Sequence, residues 1–139
     1  MKYLSLDIGE KRIGVASSDS GIIVSEYATL VMDTWQQTLS EIYAILKKEQ
    51  VEILVVGLPV NMDGTESKYS KIIREYMSSL EKEIAKGRLP TKIFFEDERL
   101  TSSEAERQLR ERKYSSDEIK KKVDSFAARL ILEQYLDNK

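Results

Sequence analysis

The chain contains no cysteine and no histidine. The first absence excludes thiol nucleophiles and zinc-thiolate sites, and the second removes the commonest general base and the commonest transition-metal ligand. Any chemistry must therefore come from carboxylates, hydroxyls, Lys, Arg and bound hard cations, and oxygen-only ligand sets suit Mg²⁺ or Mn²⁺. Long hydrophobic runs are missing too: the longest, Ile53 to Val60, has Gly57 and Pro59 inside it and falls far short of the ~20 residues of a membrane span. Met1 to Asp7 meets charge early and shows no small-residue cleavage site, so a secretory signal is not expected. These features predict a cytoplasmic protein with no membrane partner. Nor is there an excess of basic charge, with 22 Lys plus Arg against 24 Asp plus Glu, so a global nucleic-acid footprint is lacking. The distribution is less even. Arg99 to Val123 holds Arg99, Arg107, Arg110, Arg112, Lys113, Lys120, Lys121 and Lys122 against Glu104, Glu106, Glu111, Asp117 and Glu118, a locally positive stretch.

With 139 residues, 41% of them hydrophobic, the chain has the size of one globular domain, residues 1–139, burying roughly two-thirds of its unfolded surface without disulfides or a structural metal. Lys2 to Asp7 and Arg12 to Ser17 read as strands joined by a tight turn at Gly9, and a third strand is expected at Ile22 to Leu30. Trp35, Leu39, Ile42, Tyr43, Ile45 and Leu46 recur at helical spacing ahead of the buried-strand run Ile53 to Val56. A second helical pattern carries Tyr69, Ile72, Ile73, Tyr76, Met77, Leu80 and Ile84, and a further strand follows near Thr91 to Glu96. Thr101 to Glu104 and Ser115 to Glu118 both fit capping boxes, which predicts helices from about Ser102 to Arg112 and about Ser116 to Leu136. The order β-β-β-α-β-α-β-α-α predicts an α/β fold: a mixed five-stranded sheet, an antiparallel three-strand meander plus two parallel strands, flanked by helices.

Four places could carry chemistry. Asp7 ends the first apolar strand before Gly9, with Lys11, Arg12 and Gly14 beyond; the carboxylate either starts the turn or faces a phosphate or metal. The segment from Gly57 to Thr65 follows the most apolar strand, where open α/β sheets bind ligands. It is not a Walker A loop, because no lysine stands at the position that reaches the terminal phosphates, and Asp63-Gly64 also suits a plain turn. Glu96-Asp97-Glu98 crowds three acids at a strand end, which costs energy unless solvent, Arg or a cation compensates. Strand alternation sends Glu96 and Glu98 to one face and Asp97 to the other. Asp124 lies on the margin of the apolar face of the last helix and needs either an Arg partner or a metal. Arg129, five residues on, is off its face.

Together, Asp7 to Ala16, Gly57-Leu58-Pro59 with Asn61 to Gly64, Asp97 to Ser102 and Val123 to Ala128 resemble, in order and spacing, the YqgF family, also called RuvX. The resemblance runs from end to end. It implies an RNase H-like fold and a metal-dependent endonuclease that hydrolyses phosphodiester bonds, acting in maturation of the 5′ end of pre-16S ribosomal RNA, or alternatively a Holliday-junction-type DNA resolvase or a non-catalytic nucleic-acid-binding module of the same fold. Carried over residue by residue, it implies catalytic and metal-binding roles for Asp7, Glu98 and Asp124, with Asp97 as a further candidate ligand, and a two-metal site for Mg²⁺ or Mn²⁺. A fourth carboxylate of the usual RNase H set has no counterpart beyond Asp97 and Asp63. The expected partner is structured RNA or branched DNA, bound through Lys11, Arg12, Arg99, Arg107, Arg110 and Lys113 by a monomer or weak homodimer. On helical spacing alone, Arg107 and Arg110 equally suit pairs with Glu104, Glu106 and Glu111.

Overall fold

Alternation along the first strand, β1 (Tyr3–Ile8), sends Leu4, Leu6 and Ile8 into one core and Tyr3 into another, so both faces of the sheet must be covered. A computed structural model shows how. It describes all residues except Met62, Arg99, Leu100 and Lys139, with only the backbone of Thr101, Ser102 and Ser103. After β1 come β2 (Arg12–Ser18), β3 (Ser25–Val31), α1 (Trp35–Glu49), β4 (Ile53–Pro59), α2 (Lys68–Lys86), β5 (Lys92–Glu98), α3 (Thr101–Glu111) and α4 (Ser116–Asp137). The sheet order is β3-β2-β1-β4-β5. β1, β2 and β3 pair antiparallel, whereas β4 runs parallel to both β1 and β5. This is the mixed sheet expected from the order of the elements.

α1 and α2 close the first face, burying Ile42, Leu46, Ile73, Met77 and Leu80 against Leu4, Leu6, Leu54 and Val56. Their starts are fixed by local chemistry: the Thr34 side chain accepts from the Gln37 amide and that of Ser67 from the Ser70 amide, each satisfying a free helix-end donor. α4 covers the opposite face with Ala128, Ile131 and Leu132 on Tyr3, Ala16 and Val55, and its own start carries the capping box formed by Ser115 and Glu118. The other expected capping box rests on side chains of Thr101 to Ser103, outside the described residues. α3 is fastened through α4, where Phe126, 1% exposed, packs with Ala105, Leu109 and Ile119; burying a ring of that size is worth about 2–3 kcal/mol. No described helix is long and apolar enough to cross a membrane.

α4 lies so close to β2 that a Cβ on Gly14 would sit 1.8 Å from the carbonyl oxygen of Asp124; only glycine lets the helix backbone rest there. The third strand begins later than alternation suggested. Ile22 and Ile23 are 84% and 73% exposed, because both of their amides donate to the Ser20 hydroxyl in a turn that holds them off the sheet.

Candidate active site

Because β1, β4 and β5 are parallel, their carboxyl ends lie at one edge of the sheet, and Asp7 and Glu98 are both found there. Two strand spacings, roughly 9–10 Å, separate β1 from β5, yet the two carboxyl groups are hydrogen-bonded to each other. Gly57 on the intervening strand makes this reach possible. A Cβ there would lie 2.9 Å from Glu98 Oε2 and 2.6 Å from Ile131 Cδ1, so Glu98 extends through the space that a side chain would fill. Glycine inside an apolar strand is a signal of close approach, but what approaches depends on the register of β5.

Burial pushes the Asp7 carboxyl up to about 6, an effect that the nearby Asp124 charge reinforces and the Glu98 hydrogen bond partly offsets. Burial and then Asp7 itself push Glu98 further, to about 9. The two groups thus share a proton, with Glu98 holding it. Since the folded protein binds more protons here than the unfolded chain, whose carboxylates titrate near ~4, stability must fall as pH rises. The loss accumulates between the unfolded value and about 6 for Asp7, and onward to about 9 for Glu98. Thermal melts in EDTA should therefore decline across this window, and Glu98→Gln should flatten the decline above about pH 6. A parallel profile in the variant would refute the shared proton.

Asp124 approaches from α4, 21% exposed at its side chain, and accepts from Arg12 Nε at 2.7 Å. The partner comes from β2, over a hundred residues away in sequence, while Arg129 pairs with Glu133. Among the described residues no three Asp or Glu side chains stand together as a metal-holding group. The arrangement is a carboxyl pair with a third carboxylate beside it, held by an arginine. Asp97 is exposed on the alternate face of β5, its carbonyl accepting from Gln134, whose amide also reaches Glu96 at 3.0 Å. Asp63 accepts from the amide and hydroxyl of Thr65 within the loop after β4. Tyr69, on α2, donates to the Gly9 carbonyl at 2.9 Å and ties the β1–β2 turn to the second helix. Its hydroxyl is raised to about 12, first by burial.

Of the basic candidates, Arg107 bonds Glu104 and Glu111, and Arg110 lies 3.7 Å from Glu106, all on the exposed face of α3. Lys11 and Lys113 are exposed and have no ion pair among the described residues, while Arg112 lies over the Phe126 ring. Arg99 lies outside the described residues.

A sequence profile of the RuvX family, described as Holliday junction resolvase, matches residues 1–138. The chain belongs to the RuvX family. Relatives in that family include a protein of Crocosphaera subtropica, 39% identical over 137 residues, which cover 98% of this chain and 92% of the relative. Another, from Synechococcus elongatus, is 42% identical over 135 residues, covering 96% and 87%. Both carry the name "Putative pre-16S rRNA nuclease". Among solved structures, Fowlpox virus resolvase with its Holliday junction DNA superposes with a TM-score of 0.60 at 15% identity, over 99% of this chain and 98% of that one. Thermus thermophilus RuvC in complex with a Holliday junction substrate gives 0.57 at 13% identity, over 99% and 96%. The fold of this RuvX-family chain is RNase H-like, as its sequence implied.

Proposed function

We propose that this RuvX-family nuclease is a metal-dependent endonuclease that trims the 5′ end of pre-16S ribosomal RNA, with residues 1–139 acting as one RNase H-like unit in the cytoplasm. The observation that carries the metal dependence is the buried Asp7–Glu98 pair at the carboxyl edge of the sheet. Two buried carboxyl groups pressed together, with a third nearby that is paired with Arg12, form an acidic cluster whose oxygen-only donor set fits Mg²⁺ or Mn²⁺. Asp7, Glu98 and Asp124 are the ligands in this reading; Asp97, on the other face, is not. Bound there, divalent ions would lower the pKa of water and stabilise charge on the leaving oxygen, chemistry that requires no histidine.

The chain's own groups do the rest. On binding a cation there, Glu98 would give up its shared proton, so affinity for the cation would rise with pH. Lys11, Arg12, Arg99, Arg107, Arg110 and Lys113 meet the phosphates, and Arg107 and Arg110 exchange their helix partners to do so. The ribosomal substrate rests on the names carried by the relatives. A junction DNA reading is favoured by the description of the family and is tested in the same assay. A labelled pre-16S 5′ precursor and a four-way DNA junction are offered separately with Mg²⁺ or Mn²⁺. Cleavage of the RNA, lost in EDTA, is expected. Cleavage of the junction alone would overturn the RNA substrate, and binding of either without any cleavage would identify a non-catalytic module.

A further inference from the structure

Arg12 is the one described cation that forms an ion pair with any of the three carboxylates, and the way it does so is incomplete. Only Nε engages Asp124, at 2.7 Å, and the guanidinium makes no other hydrogen bond among the described residues. Its side chain is half exposed whereas that of Asp124 is mostly covered. The remaining N–H donors form a planar fork of the kind that grips phosphate. The backbones on both sides are fixed. α4 is seated on β2 at Gly14, and the Arg12 carbonyl accepts from the Gly9 amide at 2.9 Å while its strand pairs with Val31. The exchange therefore needs movement only of the Arg12 and Asp124 side chains.

Electrostatics decides when it moves. The Asp124 charge acts on Asp7, so withdrawing Arg12 with nothing in its place leaves neighbouring carboxylates unscreened; withdrawal becomes easy once other positive charge arrives. We propose that Arg12 is an exchangeable counter-ion, which holds Asp124 until that carboxylate turns to a divalent cation and then passes to a phosphate of the nucleic acid. This rests on the proposed function and adds to it a positioning residue that couples cation binding to substrate binding. Arg107, Arg110 and Arg129 do not play this part, because their acidic partners lie on their own helices and none of those partners is Asp7, Glu98 or Asp124.

The test uses the full chain as wild type, Arg12→Gln and Lys121→Gln. The last removes an exposed charge one turn before Asp124 without breaking an ion pair, and thermal melts check that each variant folds. In calorimetric titrations Arg12→Gln is expected to bind Mn²⁺ about two- to fivefold more tightly, matching the strength of a part-exposed ion pair, with a much smaller change for Lys121→Gln. Binding of the pre-16S 5′ fragment is then followed against salt, once with Ca²⁺ and once with EDTA. With Ca²⁺ the variant's slope should be shallower by about one unit, the loss of one phosphate contact; with EDTA the slopes should coincide. Equal Mn²⁺ affinity in wild type and Arg12→Gln, an equal gain in Lys121→Gln, or a slope difference that persists in EDTA would each overturn the exchange while leaving the nuclease reading intact. Failure of the wild type to bind Mn²⁺ at all would remove both.

Discussion

Asp7→Asn is expected to reduce metal-dependent cleavage by about a thousandfold or more, while the metal-free protein melts at the same temperature or a few degrees higher. The proposed role of Asp7 as a shared ligand accounts for the first part, since about 4 kcal/mol of lost transition-state stabilisation corresponds to a thousandfold in rate. The second follows from the geometry. Asn keeps the shape of Asp7 and can donate to Glu98, but it removes one of two buried carboxyl groups that oppose each other's ionisation. Labelled-RNA cleavage measured beside melts in EDTA decides the matter. A fall of many degrees in the melting temperature would make Asp7 a structural residue, and cleavage within tenfold of wild type would place the chemistry elsewhere.

Gly14→Ala is expected to cost about 3 kcal/mol or more, lowering the melting temperature by roughly 10 °C. The added methyl group would meet Asp124 O at 1.8 Å, Asp124 C at 2.2 Å and Ser125 N at 2.8 Å. All three are helix backbone, so no rotamer change gives relief and α4 as a whole must lift. Gly57→Ala offers the contrast. Its Cβ meets the ends of the Ile131 and Glu98 side chains, which can give way, so stability should suffer less while Glu98 loses its line to Asp7 and cleavage falls. Denaturant melts of both variants check the ranking; a Gly14→Ala protein as stable as Gly57→Ala would refute the close seating of α4 on β2.

The strands and helices were legible because hydrophobic alternation and helical spacing are local quantities, and the mixed sheet followed from their order. The boundary missed at Ile22 and Ile23 shows the limit: two apolar residues look like strand until the Ser20 hydroxyl takes their amides. The costly placements of Asp7, Glu98 and Asp124 could also be singled out from sequence. How they are held could not. Helical spacing tests Asp124 only against neighbours such as Arg129, whereas its partner Arg12 is brought up by the packing of α4 on β2. The function of Gly57 likewise depends on β5 lying next to β4, a fact of topology rather than pattern. Tyr69 stood out only as part of an apolar helix face, and its bond to Gly9 spans sixty residues.

The parallel alignment that brings Asp7 and Glu98 to one edge also determines when in folding the site comes into being. The three carboxylates belong to the first strand, the last strand and the final helix, so two long chain closures must be completed before all three feel one another. In a partly folded chain each is a separate, solvated acid with an ordinary affinity for protons and cations. The acidic cluster and its self-repulsion are therefore properties of the finished fold alone, and hydrolysis should appear only with the last, slowest phase of refolding, after helix formation and collapse are complete.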